Sequence, residues 1–568
     1  MGTLFSALDI ARSGLAAAQI QLDTAGHNIA NVNKEGFSRQ RVELLSRFPL
    51  NTPSGQIGRG VSVGRITRLR DGFLDGLFRR QNPGLTSAEF QAEFLGRVED
   101  IFLEPGPNGL SGRINRFFDS LSELSNNVEE LPVRQSVVNE AQALATLFRE
   151  TTTRLNTLRT NANDELKNFV PQINSLAERI ATLNDQINTS EVTGQPANDL
   201  RDDRDLLLDE LSGLVNITSR ERSDGQLDVL IAGDSLVNGN FIRAIEAVSN
   251  PALDPERNDL VEIRFVDNGS LVGAQNGEMF AAQKIRDFDI PAVDARIDQM
   301  AATIIEQINL IHSSAHGIQN YSGTVTGTNA VSGAGVPLDT AGLPFTVSTG
   351  SFDFSVYDAT GALVSTTNIA VTAGATDLAT LAASISATDA NITATVTAGN
   401  TLQITTAGGF SFSTASDTSG ALTALGTNGL FTGFDGRTIQ INQDILNNPA
   451  LLGTGFDPDP LATGDNTAAL ALADVRNGLF LDSGSATISD FYETTIVRIG
   501  IDTRANLDTL AVEQTFVENF QRRRQAVSGV SIDEEVTFLL QFQRAFEGSA
   551  RIVTVADRML DSLMAMAR

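Results

Sequence analysis

The same apolar pattern sits at both extremes of this chain, and it constrains the fold more than any other feature. Leu4, Leu8, Ala11, Leu15, Ala18, Leu22, Ala25 and Ile29 recur at alternating spacings of four and three. Leu539, Phe542, Phe546, Ser549, Val553, Ala556, Leu560, Leu563 and Ala567 repeat the spacing at the far end, broken only by Ser549. A heptad repeat of this kind paints one apolar stripe along an α-helix, the stripe that seats a partner helix in a coiled coil. Each end is predicted to partner the other. Chain ends usually fray; here they carry hydrophobic helices, so the middle must loop out from a paired-helix stalk. That architecture suits a polymer subunit.

With 568 residues between them, the two ends can enclose several domains. A hydrophobic fraction of 41% is enough for real cores, and a net charge of −28 opposes binding to nucleic acid or to an anionic membrane surface. There is no Cys, so disulfides and thiolate chemistry are excluded and an oxidising exterior poses no risk of misbridging. No run of about 18 uncharged apolar residues reads as a membrane span. Met1 to Leu8 has no Lys or Arg, and Asp9 and Arg12 interrupt the apolar stretch that follows, so no cleaved leader is expected.

The first helix is predicted over about Thr3 to Ile29, roughly 40 Å long. Asn31, Asn33 and Gly36 then supply a helix exit and a turn that favours positive φ. Phe37 is the only aromatic group there and can anchor the turn, while Arg39 and Arg41 can reach acidic neighbours. Ser38 to Glu43 is predicted to begin an extended arm.

These residues carry a resemblance. Asn28-Ile29-Ala30-Asn31-Val32-Asn33 followed by Gly36-Phe37-Ser38-Arg39-Gln40 resembles the N-terminal signature of the flagellar rod, hook and hook-associated protein family. Gly55 to Val61, then Arg70 to Asp75, resemble the next block of a hook-associated member, and Val527 to Glu535 with Leu539 to Phe546 are similar to its C-terminal helix. Lys34-Glu35 stands where relatives often have Thr-Pro, and Phe37 where they often have Tyr; neither touches Gly36.

The interior reads as long helices first. Phe90 to Phe102 and Ile114 to Leu124 are short amphipathic stretches. A long pattern runs from about Arg134 to Asn188, with a seam at Leu166, Phe169, Ile173, Leu176, Ile180, Leu183 and Ile187. Pro171 is expected to kink or divide it. Asn198 to Leu214 forms another helix, whose charges at Arg201, Asp202, Asp203, Arg204 and Asp205 are expected to be a solvated face. Short strands follow to Phe280, and Ala292 to Ile311 returns to helix. No Lys or Arg occurs between Arg296 and Arg437, and Thr, Ala, Ser and Gly dominate from Tyr321. Alternation at Phe352 to Val356 and Ile392 to Val396 predicts strands, with Asp377 capping one short helix. Phe491 to Arg524 is predicted to be a closing helix that hinges at Ser528 to Ser531 into the terminal seam.

The predicted fold is therefore a multidomain α + β chain: paired coiled-coil-like terminal α-helices, a long-helix core domain and an inserted β-rich outer domain. The expected domains are 1–50 with 525–568, 51–320 with 465–524, and 321–464. The expected assembly seam is Leu8, Leu15, Leu22, Ile29, Leu539, Phe542, Phe546, Val553, Leu560 and Leu563. The expected switch is Asn31, Asn33, Gly36, Phe37 and Arg39.

Little here carries reaction chemistry. His312 and His316 have the i, i+4 spacing of a metal pair, but Ser313 stands where a zincin has Glu and no third ligand is suggested. Asp457, Asp459 and Asp465 lack EF-hand spacing and are interrupted by Pro458 and Pro460. Gly55, Gly58 and Gly60 lie in no βαβ unit. No catalytic residue, cofactor or metal is expected. The resemblance implies a structural subunit of the bacterial flagellum joining hook to filament. Its implied partners are copies of itself in a ring, the flagellar hook protein, a second hook-associated junction protein and a flagellar export chaperone. It also implies an extracellular location reached by type III export. Other readings are another flagellar axial protein, or an extracellular adhesin-like module that binds through its β domain.

Overall fold

The computed structural model describes residues 2–52, 55–102, 104, 106, 109–192, 194–459 and 462–566. Along the chain the helices are α1 Gly2–Ala30, α2 Gly72–Phe102, α3 Leu110–Asn126, α4 Leu131–Glu191, α5 Asn198–Leu214, α6 Glu278–Lys284, α7 Ile290–His312, α8 Leu378–Ser386, α9 Ala421–Leu425, α10 Gln443–Asn447, α11 Thr467–Asp474, α12 Ile488–Ser528 and α13 Ile532–Met566. Long helices hold both ends and small separate antiparallel sheets lie between them, a multidomain α + β fold. The chain forms two compact units: Met1–Glu93 with Asn161–Ile285 and Ala505–Arg568, and Phe94–Thr160 with Arg286–Arg504.

In the first unit an antiparallel arm leaves the end of α1. Gln40–Ser46 pairs with Val61–Arg68, and Leu50–Thr52 pairs with Gly55–Ile57 towards its tip. A four-stranded meander runs from Ile217 to Ile242, followed by the hairpin of Ile245–Ser249 and Val261–Phe265. The core of this unit brings Leu166, Phe169, Ile173, Ile180 and their neighbours on α4 against Leu207, Leu208 and Leu211 of α5 and the inward residues of the strands, such as Val229 and Phe265. The 3.6-residue seam of α4 thus meets the two-residue alternation of the strands, which is how a helix covers one face of a sheet.

Pro171 does not divide α4, which is continuous from Leu131 to Glu191. Pro171 itself is exposed, while Val170 and Ile173 on either side are buried in the core. The carbonyl that loses its amide partner is on the watery side, and packing on both sides holds the helix together. Phe90 to Phe102 is likewise only the last part of the 31-residue α2.

The second unit is built on α3 and α7. Phe117, Phe118, Phe148, Ile304 and Ile308 are fully buried, and Phe117 meets Phe431 edge-on with ring centres 5.6 Å apart. Two sheets come from the Thr- and Ser-rich segment. One is ordered Tyr321–Ser322, Ser411–Ala415, Gly350–Tyr357, Leu363–Val371, and the other Thr324–Thr326, Leu402–Thr406, Ile392–Val396. Phe354 stacks on Phe412 across neighbouring strands at 5.0 Å. The Asp377 side chain caps α8 by accepting the Thr380 N–H at 2.7 Å. Arg134 is fully buried and donates to the carbonyls of Val128 and Leu452 and to Thr454 Oγ1. Burial alone lowers its pKa to about 10.

His312 has a structural task. Its Nδ1 donates to the Asn428 carbonyl at 2.8 Å and its Nε2 accepts the Gly453 N–H at 3.0 Å. Burial lowers its pKa to about 4, so the ring is neutral with both nitrogens engaged. Asp465 accepts the backbone N–H groups of Phe456, Asp457 and Thr467, closing a loop.

Candidate assembly site: the terminal helix pair and its junction

The two ends do find each other: α1 and α13 form the most extensive helix pairing among the described residues. The residues that let them approach are smaller than the leucines of the heptad. Ala11, Ala17, Ala18 and Ala25 are buried on α1, whereas Leu8, Leu15, Leu22 and Ile29 are half-buried. On α13 Ala556 is buried, and Leu539, Phe542, Val553 and Leu560 are half-buried. Ser549, the break in the heptad, faces Gly14, where an added Cβ would stand 2.8 Å from its Oγ. Phe546 remains 37% exposed. The side chains of Leu4 and Leu563, and all of Ala567, lie outside the described residues.

The pair therefore covers itself only in part. Phe538, Leu540, Ile552, Val555 and Met559 are exposed along α13. Of these, Phe538 carries the Arg39 guanidinium 5.6 Å from its ring centre; contiguous exposed apolar surface is a common feature of interaction sites.

The junction behind the pair is tightly bonded. Gly36 takes φ 77°, the left-handed region that costs an L side chain most, with Leu206 directly beneath it. Asn31 Nδ2 bonds the His27 carbonyl at 3.0 Å, and Phe37 meets the His27 ring edge-on at 5.5 Å. Asn33 is exposed on the loop surface. Arg39 reaches the start of α13: its Nε donates to Glu535 at 2.7 Å and its Nη1 to Glu534 at 2.8 Å, while its backbone N–H donates to the Ser528 carbonyl. Glu535, only 3% exposed, also accepts from Asn28 Nδ2 at 3.1 Å. Asn28 spans the turn, accepting the Gln40 N–H and donating to the Gln40 carbonyl. One acidic residue thus holds together the end of α1, the loop and the start of α13.

Three of the five charges of α5 are turned inward, contrary to expectation, while Arg201 is half-buried and Asp203 stays near the surface with Lys34. Asp202, Arg204 and Asp205 are buried. Asp205 accepts from Arg68 at 2.7 Å and Arg79 at 2.9 Å, and Asp202 from Arg68 at 2.8 Å. Arg70 pairs with Asp75, and Arg524 of α12 with Asp75 and Asp209. The Ser38 N–H donates to Asp202 at 2.8 Å, tying this cluster to the loop. Burial acts to raise the Asp205 carboxyl, but the guanidinium groups of Arg70, Arg79 and Arg68 outweigh it and hold it well below the usual carboxylate range. Asp202 goes the other way: burial raises it despite Ser38 and Arg68. Glu535 and this cluster were not singled out from the sequence as site residues. The available signal was the 3,4 spacing of Asp202, Asp205 and Asp209, matched by the Arg68–Arg70–Arg79 series.

Among the described residues the site consists of backbone and ion-pair ties between the end of α1, the loop and the starts of α5 and α13. Residues 95–328 match the family model of the flagellar hook-associated protein FlgK helical domain. Residues 8–37 match that of the flagella basal body rod protein, and residues 523–566 that of the flagellar basal body rod FlgEFG protein C-terminal region. These are families of structural flagellar proteins, not enzymes, and the chain is a flagellar component. It is 28% identical to flagellar hook-associated protein 1 of Bacillus subtilis, over 99% of this chain and 98% of that one. It is 27% identical to the protein of the same name from Escherichia coli K12, over 98% and 99%. Over nearly its full length the chain is thus similar to flagellar hook-associated protein 1. The solved hook junction protein FlgK from Burkholderia pseudomallei is similar to it at 18% identity and a TM-score of 0.49, covering 81% of this chain and all of that one. No described helix is long and apolar enough to cross a membrane.

Proposed function

We propose that this protein is the structural subunit that joins the flagellar hook to the filament, and that copies of it assemble as a ring through their terminal helices. The observation that carries this reading is the half-covered helix pair. α13 leans on α1 through small residues and leaves a long apolar stripe for neighbours. Burying that stripe on assembly is favourable at about 25 cal/mol per Å². Matches at both ends and along nearly the full length to flagellar axial proteins support the same reading. Its partners would be the hook protein, a second hook-associated junction protein and an export chaperone, and it would lie outside the cell, in the flagellum. Residues 1–50 and 525–568 would act as the axial part and 321–464 as an outer module. Asn31, Asn33, Gly36, Phe37 and Arg39 would form a switch that sets the terminal pair against the rest of its unit during assembly. Immunogold labelling of purified hook–basal bodies tests this. Label at the distal end of the hook, between hook and filament, is expected; label along the filament or on the cell body alone would overturn it.

A further inference from the structure

The arm and a cleft beside the junction are complementary, yet they cannot meet within one chain. Residues 40–68 hold five Arg and one acidic residue in a chain of net charge −28; Arg65 meets Glu43 and Arg68 meets Asp202 and Asp205, while Arg47 and Arg59 share the single Asp9, each 3.5 Å from it, which leaves net positive charge beside Phe48. The arm also exposes its apolar side chains: Phe48 is 93% exposed, and Leu45, Leu50 and Ile57 are exposed beside it. A cleft of about 870 Å³ opens between the 32–39 loop, α5 and the α12–α13 link. Phe37, Phe78, Leu206 and Val530 line it. Its charged pairs are largely internal, as Arg39 meets Glu534 and Arg524 meets Asp209. Lys34 and Arg70 also line it but are paired with Asp203 and Asp75, so exposed Glu35 and Glu210 remain at its edge, leaving an acidic rim around an apolar floor.

Two measures show that Phe48 cannot reach this cleft in its own chain. Arg39 lines the cleft, and Phe48 lies nine residues on, beyond an extended strand, so about 30 Å away at about 3.3 Å per residue. The arm also runs back along α1: Asn28 bonds Gln40, whereas Asp9 lies 3.5 Å from Arg47. The 19 residues from Asp9 to Asn28 span about 29 Å of helix.

We infer that the tip of the arm, with Phe48 as its anchor and Arg47 and Arg59 beside it, docks in this cleft on a second copy of the chain. The contact joins two different patches, so it is head-to-tail and propagates from copy to copy, closing a ring or continuing a helix. An exposed aromatic anchor entering an apolar pocket with opposite charge around it has the composition of an interface hot spot. The offset between copies is then roughly 30 Å along the terminal helix pair. This inference rests on the assembly reading above.

The chain has no native Cys, so single cysteines can be placed freely. Cells co-expressing full-length Phe48→Cys and Val530→Cys chains are grown until filaments form, and isolated hook–filament structures are treated with a short bismaleimide. A covalent dimer of this chain is expected only when both variants are present. Filaments with no such dimer would overturn the docking while leaving the junction role intact; absence of the protein from filament-bearing structures would instead overturn the junction role. A cross-link from Phe48→Cys to a different flagellar protein would also overturn the docking. A charge test provides a second reading: Glu210→Arg should reduce filament attachment several-fold, and adding Arg47→Glu and Arg59→Glu in the same chain should restore much of it. Failure of that restoration, with the cross-link also absent, would overturn the proposal.

Discussion

Gly36→Val is the sharpest probe of the junction. The backbone at Gly36 is left-handed, φ 77°, and a Cβ built there would stand 3.2 Å from Leu206 Cβ, closer than ordinary contact. The left-handed conformation costs a non-Gly residue about 1–2 kcal/mol, more for a β-branched one, and the crowding on Leu206 adds to that. A total of about 2–3 kcal/mol is expected to fall on the loop rather than on the whole molecule. The loop has a natural reporter, the Arg39 amide, which donates to the Ser528 carbonyl at 2.9 Å. Native-state hydrogen exchange of peptides covering residues 31–40 should accelerate roughly 30- to 150-fold, since 1.36 kcal/mol is tenfold. Peptides from Phe117 to Leu124 should be unchanged. Gly36→Asn meets the same Leu206 contact but tolerates positive φ, so its acceleration should be clearly smaller. In cells the Gly36→Val subunit should be exported and fold its interior, yet fail to join the hook. Equal exchange in the Gly36→Val and parent proteins, or normal filaments on the variant, would refute the reasoning.

Asp205→Asn should destabilise the first unit by about 3–5 kcal/mol, because it leaves buried guanidinium groups uncompensated; a melt of that unit within 2 °C of the parent, where about 1 kcal/mol shifts a domain of this size by roughly 2–4 °C, would contradict it. The same group sets an acid response. Its folded pKa is depressed, so its stabilisation is present above the unfolded value near 4 and is lost as pH falls below it; the parent should lose more stability than Asp205→Asn between about pH 5 and pH 2. In the second unit, burial and then Asp298 push Asp294 up to about 7, so the stability of its protonated form is full below about 4 and lost as pH rises through 7. Asp294→Asn should therefore raise the melting temperature at pH 8 and do little at pH 4, as followed by calorimetry. On the terminal stripe, Phe546→Asp should abolish filament attachment while Glu547→Asp should not, scored by electron microscopy of hooks; normal filaments on the first variant would remove Phe546 from the assembly surface.

Much of this molecule is determined by local pattern. The heptads at Leu8 to Ile29 and Leu539 to Leu560 specify two long helices that seek each other, and α1 and α13 are paired. The Asn-rich exit before Gly36 specifies a turn that only positive φ completes, and Asn198 to Leu214 forms a helix with those bounds. Periodicity and turn chemistry act within a few residues, so they are legible in sequence. What covers a helix face is decided elsewhere. The charges of α5 look solvated because a helix records only which residues share a side; Arg68, Arg70 and Arg79, more than a hundred residues earlier, turn that side inward. Pro171 reads as a break, but packing on both sides of it outweighs one lost hydrogen bond. The register of the terminal pair depends on Gly14 meeting Ser549 and on buried alanines rather than leucines, a matter of close approach that the heptad does not encode. Glu535 joins Asn28 and Arg39 across some 500 residues of chain. Local conformation follows from neighbours in sequence, whereas burial, counter-charge and register follow from neighbours in space, and those exist only once the chain has folded.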